Sequence, residues 1–361
     1  MLFFEIIVGL IILVLLVVVH ELGHAYQARR NGVIVEEFGI GLPPKAWGKK
    51  LKSGLIFTLN WLPLGGFVKL QGEYDAANKK GDYGAASFWQ KTKILLAGVV
   101  VNWLVAAILL SVLALTGMPK VLSNQAAITG DTVTVSQPVE IASLVKDHAA
   151  ANAGLKIGDK IIRFDGQEVP TVDSLVKMSQ AKKGQPVTVI YDRGGTESSI
   201  IVTLGQDSTT GIFGAGLGQR EIMKSTWSAP FVGLATATQF TWVTFQGIGG
   251  LFSNIISSGI GSASSSVAGP IGILGTVFPA AEQEGMTQLV FLTAIISLSL
   301  AVMNVLPIPS LDGGRWFTIV AFKIFRKKLT KEREENVQIV GFYILMILII
   351  LVTISDVTKL F

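Results

Sequence analysis

The sequence predicts a polytopic α-helical membrane protein with four transmembrane helices, a membrane-associated β-hairpin on the cytoplasmic side and one extracytoplasmic α/β domain. Half of the 361 residues are hydrophobic. Only 15% are charged, against about 25% in an ordinary soluble domain. Four apolar runs each have about the length that a helix needs to cross a bilayer, and basic residues gather beside them.

The apolar runs cover residues 2–19, 94–115, 289–305 and 337–354. The first run lacks a basic n-region, and the motif HELGH stands where a signal-peptide cleavage site would be. We therefore interpret this run as a retained transmembrane helix.

The distribution of charge predicts the orientation in the membrane. Residues 27–93 hold 11 Lys/Arg against 5 Asp/Glu, and residues 315–336 hold 7 against 3, whereas residues 118–285 hold 11 against 13. Basic residues beside spans mark the cytoplasmic side, so the long middle segment is predicted to be extracytoplasmic. The formal charge of +5 thus reflects topology, and no nucleic-acid partner is expected.

Residues 227–260 are apolar but rich in Ser, Thr and Gly. A fifth span here would put the two basic segments on opposite sides of the membrane, so an interfacial or partly re-entrant helix is favoured. The predicted divisions are residues 1–117 with the first two spans, 118–210 as the outer domain, 211–286 as an extracytoplasmic interfacial region, and 287–361 with the last two spans.

The stretch GLIFTLNWLPLGGFVKLQGE, residues 54–73, has β-prone runs on either side of residues 63–66 and predicts a hairpin. Its edge could accept an extended peptide as an added strand. A hairpin that only packs against the bilayer fits the same residues.

Residues 126–205 carry short β-branched runs, one helical pattern at residues 172–180 and two glycine turns, which predict the single outer domain. The run AANAGLKIGDKIIRFDGQEV, residues 150–169, resembles a PDZ domain. PDZ domains capture extended peptides or C-termini at a sheet edge. A steric plug without a ligand is the alternative.

HELGH, residues 20–24, has the HExxH pattern. On a helix His20 and His24 share one face and can reach the same Zn²⁺, and Glu21 beside them can accept a proton from water. A lone HExxH is weak evidence, but ionisable residues at the membrane end of a span are functional candidates. A polar interfacial helix end would more naturally carry Lys, Arg or Trp.

A catalytic zinc usually has three protein ligands. The chain has no cysteine and one other histidine, His148 in the outer domain, so the third ligand should be a carboxylate. The candidate is Asp312 in NVLPIPSLDGGRWF, residues 304–317, where two prolines interrupt the helix at the end predicted to share a side with HELGH. For an isolated LDGG, a helix cap would be the plain alternative.

HExxH in the first span, NxxPxxxLDGG in the third and a PDZ-like domain between the second and third spans resemble the site-2 protease family, bacterial intramembrane zinc metalloproteases. Ala97-Gly98 with Asn102, GGFVKLQGE at residues 65–73 and AGPIGI at residues 268–273 also match. Val99 departs from the family, which commonly has proline there. Only one PDZ-like domain fits, whereas many proteobacterial members carry two.

The resemblance implies that His20, His24 and Asp312 bind Zn²⁺ and that Glu21 is the catalytic base. It also implies that Asn304 holds the substrate or the developing oxyanion. The hairpin around Gly66 and Phe67 would present substrate as an added strand, and the PDZ-like domain would select substrates by size.

We therefore expect a zinc endopeptidase of a bacterial cytoplasmic membrane, with its active site toward the cytoplasm and its PDZ-like domain outside. Its partners would be membrane lipids, a possible peptide ligand of the PDZ-like domain, and single-span membrane proteins. Anti-sigma factors and remnant signal peptides both fit as substrates. The rival hypotheses are a catalytically inactive PDZ-containing scaffold or peptide sensor, and a zinc-dependent channel or transporter.

Overall fold

The computed structural model describes residues 2–206, 212–258 and 269–360. The chain divides into two compact units, one formed by Met1–Leu113 with Ala229–Phe361 and the other by Ala114–Ser228. Part of the AGPIGI motif, Ala268, lies outside the described residues.

The helices are α1 (Leu2–Arg30), α2 (Phe88–Leu95), α3 (Ala97–Thr116), α4 (Ala149–Ala153), α5 (Val172–Ala181), α6 (Ala229–Ser258), α7 (Pro270–Gly272), α8 (Phe278–Gln283), α9 (Met286–Val305), α10 (Asp312–Ile324) and α11 (Lys331–Leu360). A π-helical turn, Ile273–Val277, joins α7 to α8. The strands are β1 (Val35–Lys50), β2 (Ile56–Leu70), β3 (Met118–Pro119), β4 (Val133–Ser136), β5 (Val139–Leu144), β6 (Lys160–Phe164), β7 (Gln167–Glu168), β8 (Pro186–Arg193), β9 (Thr196–Thr203), β10 (Ala215–Gly218) and β11 (Glu221–Lys224).

Four of these helices are long and apolar enough to cross a membrane. Among the described residues they are Phe3–Arg30, Ala97–Thr116, Met286–Val305 and Lys331–Thr358. Each exceeds or reaches the length of about 20 residues that a hydrocarbon core requires. The expectation of four spans agrees with this set.

The small sheet of the first unit differs from the predicted hairpin. Both β-prone runs of residues 54–73 belong to one strand, β2, and in the described register they do not pair with each other. Residues 35–40 pair with residues 66–70, and residues 37–40 also pair, on their other side, with residues 56–59. Residues 56–60 pair in turn with residues 45–50. The predicted pairing is therefore wrong. The partner strand β1 was missed because it contains glycines and prolines, which are depleted in strands.

Helix α6 packs lengthwise against α3. The Ser111 hydroxyl lies 3.4 Å from the Pro230 carbonyl oxygen, and Trp103 Nε1 donates to Thr241 Oγ1 at 3.0 Å. The two pairs lie about two turns apart on α3 and about three turns apart on α6, in opposite chain directions, so the helices run antiparallel side by side. Phe240 of α6 also packs edge-on against a phenylalanine of α9. These contacts join α6 to α3 and α9 within the first unit.

The second unit is an α/β domain. One sheet has the order β10-β5-β6-β8-β9 with β7 paired to β6, and a second has the order β3-β11-β4. Leu175 of α5 and Ala150 of α4 are fully buried in the core beside Val139, Ile161 and Val189. The predicted helix at residues 172–180 agrees with α5. The β-branched runs at residues 132–135, 160–164, 187–191 and 199–204, from which the domain was predicted, fall on β4, β6, β8 and β9.

Helix α9 ends at Val305, and residues 306–311 form an irregular link before α10. A Cβ at Gly313 or Gly314 would collide with the backbone of Val305 or Ile308 respectively. The two glycines therefore let α10 begin directly against this link, which places Asp312 at the first turn of the helix.

Candidate metal centre

Three potential ligands from opposite ends of the chain converge beside α1. His20 Nε2 lies 3.0 Å from Asp312 Oδ2, and His24 Nε2 lies 3.2 Å from the same oxygen. The two Nε2 atoms are 3.2 Å apart. The histidines are one helical turn apart on α1, and Asp312 is the first residue of α10.

This triangle fits a tetrahedral metal ion. With bonds of about 2.0–2.1 Å, two ligand atoms of a tetrahedral zinc lie about 3.3 Å apart. The observed separations of 3.0–3.2 Å are close to that value. Two imidazoles and one carboxylate also form the donor set of many catalytic zinc sites, which keep a fourth position for water or substrate.

A hydrogen bond orients one of the potential ligands. His24 Nδ1 lies 2.8 Å from the carbonyl oxygen of Ile94 and donates to it, because a carbonyl can only accept. That bond fixes the tautomer in which Nε2 carries a lone pair for a metal. His20 Nδ1 is buried and has no hydrogen-bond partner in the described part of the chain.

Gly98 of α3 leaves the space that an ion would need. A Cβ built on Gly98 would stand 2.5 Å from Nε2 of His24 and 2.6 Å from Nε2 of His20. Any side chain at this position would therefore occupy the volume in front of both ligand nitrogens.

Asp312 is suited to be the anionic ligand. Burial opposes its ionisation, but the interactions with His24 and His20 outweigh burial and hold the pKa of Asp312 below its usual range. The carboxylate is therefore charged at neutral pH.

Glu21 borders the same small cavity as the ligands. The cavity has a volume of about 100 Å³, and its walls include Glu21, His24 and Asp312. The backbone of Val68 in β2 hydrogen-bonds the Glu21 carboxyl group. A Cβ at Gly66 would lie 3.4 Å from Cγ of Glu21, so the 66–70 segment of β2 passes directly beside this glutamate.

The other predicted site residues lie in different surroundings. The Asn304 amide donates to the Leu300 carbonyl at 3.0 Å, and no described hydrogen bond joins Asn304 to the three ligands. The Phe67 ring packs over Gly39 of the neighbouring strand, so it covers the sheet rather than the cavity.

Arg315 also lines this cavity and was not singled out by the sequence analysis. Its Nε donates to Glu334 Oε1 at 3.1 Å, its Nη2 donates to the Glu73 carbonyl, and its guanidinium carbon lies 4.7 Å from the Tyr83 ring centroid. Burial raises the pKa of Tyr83 well above its usual range, so the phenol stays neutral beneath the cation. The sequence did contain a signal for this residue, because Arg315 follows the proposed metal ligand Asp312 by about one helical turn.

Comparison with known proteins identifies the family of this chain. The sequence model that describes peptidase family M50 matches residues 8–348 of this chain. A relative from Clostridium perfringens that bears a zinc metalloprotease name is 31% identical over 345 residues, which cover 95% of each chain. The zinc metalloprotease RasP of Geobacillus kaustophilus is 27% identical, with 96% of each chain covered.

Among solved structures, the PDZ domain of an SdrC-like protein from Listeria monocytogenes is 24% identical and covers 26% of this chain and 93% of that chain. The TM-score is 0.21, and a similarity this low assigns no fold.

Proposed function

This chain belongs to peptidase family M50 and is a zinc metalloprotease, and we propose from that premise that it cleaves peptide bonds within the transmembrane segments of single-span membrane proteins. The observation that carries the proposal is the convergence of His20, His24 and Asp312. The two histidines lie on a helix long and apolar enough to span a bilayer, and Asp312 follows closely after another. The alternative of an inactive scaffold is set aside, because the chain is an enzyme of this family.

His20, His24 and Asp312 are the proposed zinc ligands. The triangle of donor atoms, the oriented His24 ring and the open space at Gly98 support this assignment. A bound zinc supplies Lewis acidity toward the scissile carbonyl and toward water.

Glu21 is the proposed general base. Its carboxyl group borders the cavity that also contains two of the ligands, within which one or a few water molecules fit. Glu21 takes a proton from the attacking water and returns it to the amide nitrogen that leaves. The Val68 backbone hydrogen bond keeps this carboxyl group turned toward β2.

The substrate is proposed to bind as an extended strand beside residues 66–70 of β2. The close approach of Gly66 to Glu21 supports this, because a peptide paired with that segment would pass near the catalytic carboxylate. Gly66 has no side chain to block the substrate backbone, and Phe67 packs on Gly39 of the neighbouring strand. Asn304, near the end of α9, donates an amide N–H to the Leu300 carbonyl, and its other amide hydrogen is proposed to serve the substrate or the oxyanion.

The enzyme is proposed to work in a bacterial cytoplasmic membrane, with the metal centre toward the cytoplasm and the PDZ-like unit outside. The excess of basic residues in residues 27–93 and 315–336 supports this orientation. Anti-sigma factors and remnant signal peptides are the proposed substrates, in regulated intramembrane proteolysis. A peptide or protein ligand is proposed for the PDZ-like unit.

Replacement of Glu21 by Gln tests the proposal. Co-expression with single-span reporters should give cleaved product for the wild type and none for Glu21→Gln, while both proteins keep their zinc. Glu197→Gln, on the exposed strand β9, is the matched control and should cleave normally. Unchanged cleavage by Glu21→Gln would overturn the proposed mechanism.

A further inference from the structure

A second cavity, of about 560 Å³, lies between α2, α10, the link after α10 and the start of α11. Its walls carry one acidic residue, Asp75, and five lysines: Lys91, Lys323, Lys327, Lys328 and Lys331. We call this the lysine pocket. It is separate from the cavity at the metal centre, because the two share no lining residue.

Two of the five lysines have acidic partners. Lys91 pairs with Asp75, and Lys331 lies 3.7 Å from Glu335. Within the described ranges, Lys323, Lys327 and Lys328 form no ion pair. The lysine pocket therefore holds three positive charges without a protein counter-charge, which favours an anionic ligand.

The floor of the lysine pocket is apolar. Leu329 and Ile319 are buried, and Phe88 and Phe322 complete this surface. Lys323 Nζ lies 3.9 Å from the Phe88 ring centroid, so its ammonium is held over an aromatic face. A ligand that fits the lysine pocket therefore combines a negative charge with an apolar part.

Large apolar side chains near the lysine pocket point outward. Trp89 of α2 is 70% exposed, Ile324 of α10 is 70% exposed and Phe325 is 72% exposed. Exposed aromatic and aliphatic residues next to lysines are typical of the membrane–water interface. The candidate span of α11 begins at Lys331, on the wall of the pocket itself. These neighbours place the lysine pocket at the level of lipid headgroups.

We propose that the lysine pocket binds the phosphate headgroup of an anionic phospholipid, whose acyl chains lie along Trp89, Ile324 and Phe325. Basic pockets beside membrane helices suit such headgroups, since each lysine near the surface strengthens binding about fivefold. Free phosphate shares the charge but cannot use the apolar rim.

Native mass spectrometry of the full chain with phosphatidylglycerol tests the proposal without any need for proteolysis. The variant Lys323→Gln/Lys327→Gln/Lys328→Gln should bind this lipid about 100-fold more weakly than the wild type. Lys45→Gln/Lys49→Gln/Lys50→Gln removes the same charge from the exposed half of β1 and should bind as the wild type does. The triple Lys→Arg variant of the pocket should retain binding, and thermal unfolding checks that each variant is folded.

Three results would overturn the proposal. Equal losses in the pocket and β1 variants would show that the lipid responds only to net charge. Unchanged binding by the pocket variant would place the lipid elsewhere. Complete displacement of phosphatidylglycerol by inorganic phosphate, with phosphatidylcholine binding no worse, would make the pocket a site for free phosphate or for no anion at all.

Discussion

Gly98 of α3 lies directly in front of His20: a Cβ at this glycine would stand 2.6 Å from Nε2 of the imidazole. The contact joins the second predicted span to the first at the metal centre. The absence of a side chain at Gly98 is thus as much a part of the proposed site as the proposed ligands are.

Gly98→Ala should greatly lower the zinc content. The added methyl group would stand closer to both Nε2 atoms than van der Waals contact allows, so the imidazoles must turn away from the metal position. Metal analysis of the purified protein measures the effect. Gly249→Ala is the control, because a Cβ on that residue of α6 meets nothing within 4 Å, and it should retain full zinc. Full zinc in Gly98→Ala would show that the ion does not occupy this space.

Arg315→Met should destabilise the first unit by about 3–5 kcal/mol, because it leaves Glu334, which is 2% exposed, without its cationic partner. Thermal unfolding in detergent measures the change. The double variant Arg315→Met/Glu334→Gln should regain most of the loss, since the amide oxygen still accepts from the Asp75 backbone. Lys331→Met removes a more exposed ion pair and should change stability by less than about 1 kcal/mol. Equal effects of the two single variants would contradict the assigned role of Arg315.

Arg193→Met should destabilise the second unit by about 2–3 kcal/mol. Its guanidinium donates to both oxygens of Asp159, at 2.6 and 2.7 Å, and the Asp159 side chain is 1% exposed. Urea unfolding followed by limited proteolysis of this unit gives the measurement. Lys182→Met breaks the exposed pair with Asp165 and should cost no more than about 1 kcal/mol. A loss for Lys182→Met as large as that for Arg193→Met would rule out this explanation.

Stability of the second unit should fall in acid because of Asp131. Hydrogen bonds from Ser228 and Thr226 lower the pKa of Asp131 to about 2. A carboxyl group with a lowered pKa stabilises the fold above its unfolded value of about 3.9, and this contribution is lost as the pH falls toward 2. Asp131→Asn should be less stable at neutral pH and should show a smaller decline between pH 4 and pH 2. Parallel pH profiles of stability for the two proteins would exclude Asp131 as a source of the loss of stability in acid.

The sequence was most informative where chemistry restricts the choice of residue. HELGH and LDGG stood out because two histidines one turn apart and a carboxylate beside a broken helix have few other uses in a membrane span. The four candidate spans could be predicted from length and hydropathy alone. The structure describes helices at these four places that are long and apolar enough to cross a membrane.

Pairing and long-range contacts were harder to predict. The strand β1 was hidden by its glycines and prolines, so the hairpin was assigned to the wrong partners. Arg315 was passed over because a basic residue beside a span ordinarily marks only orientation. Its burial depends on Glu73 and Glu334, which lie 242 and 19 residues away along the chain.

Zinc analysis of Asp312→Ala tests the central claim most directly. The wild type should carry about one zinc per chain, and Asp312→Ala and His24→Ala should each lose most of it, because two remaining ligands hold the ion weakly. His148→Ala, which changes the histidine of the second unit, should keep the full amount. Undiminished zinc in a folded Asp312→Ala protein would contradict the proposed metal centre.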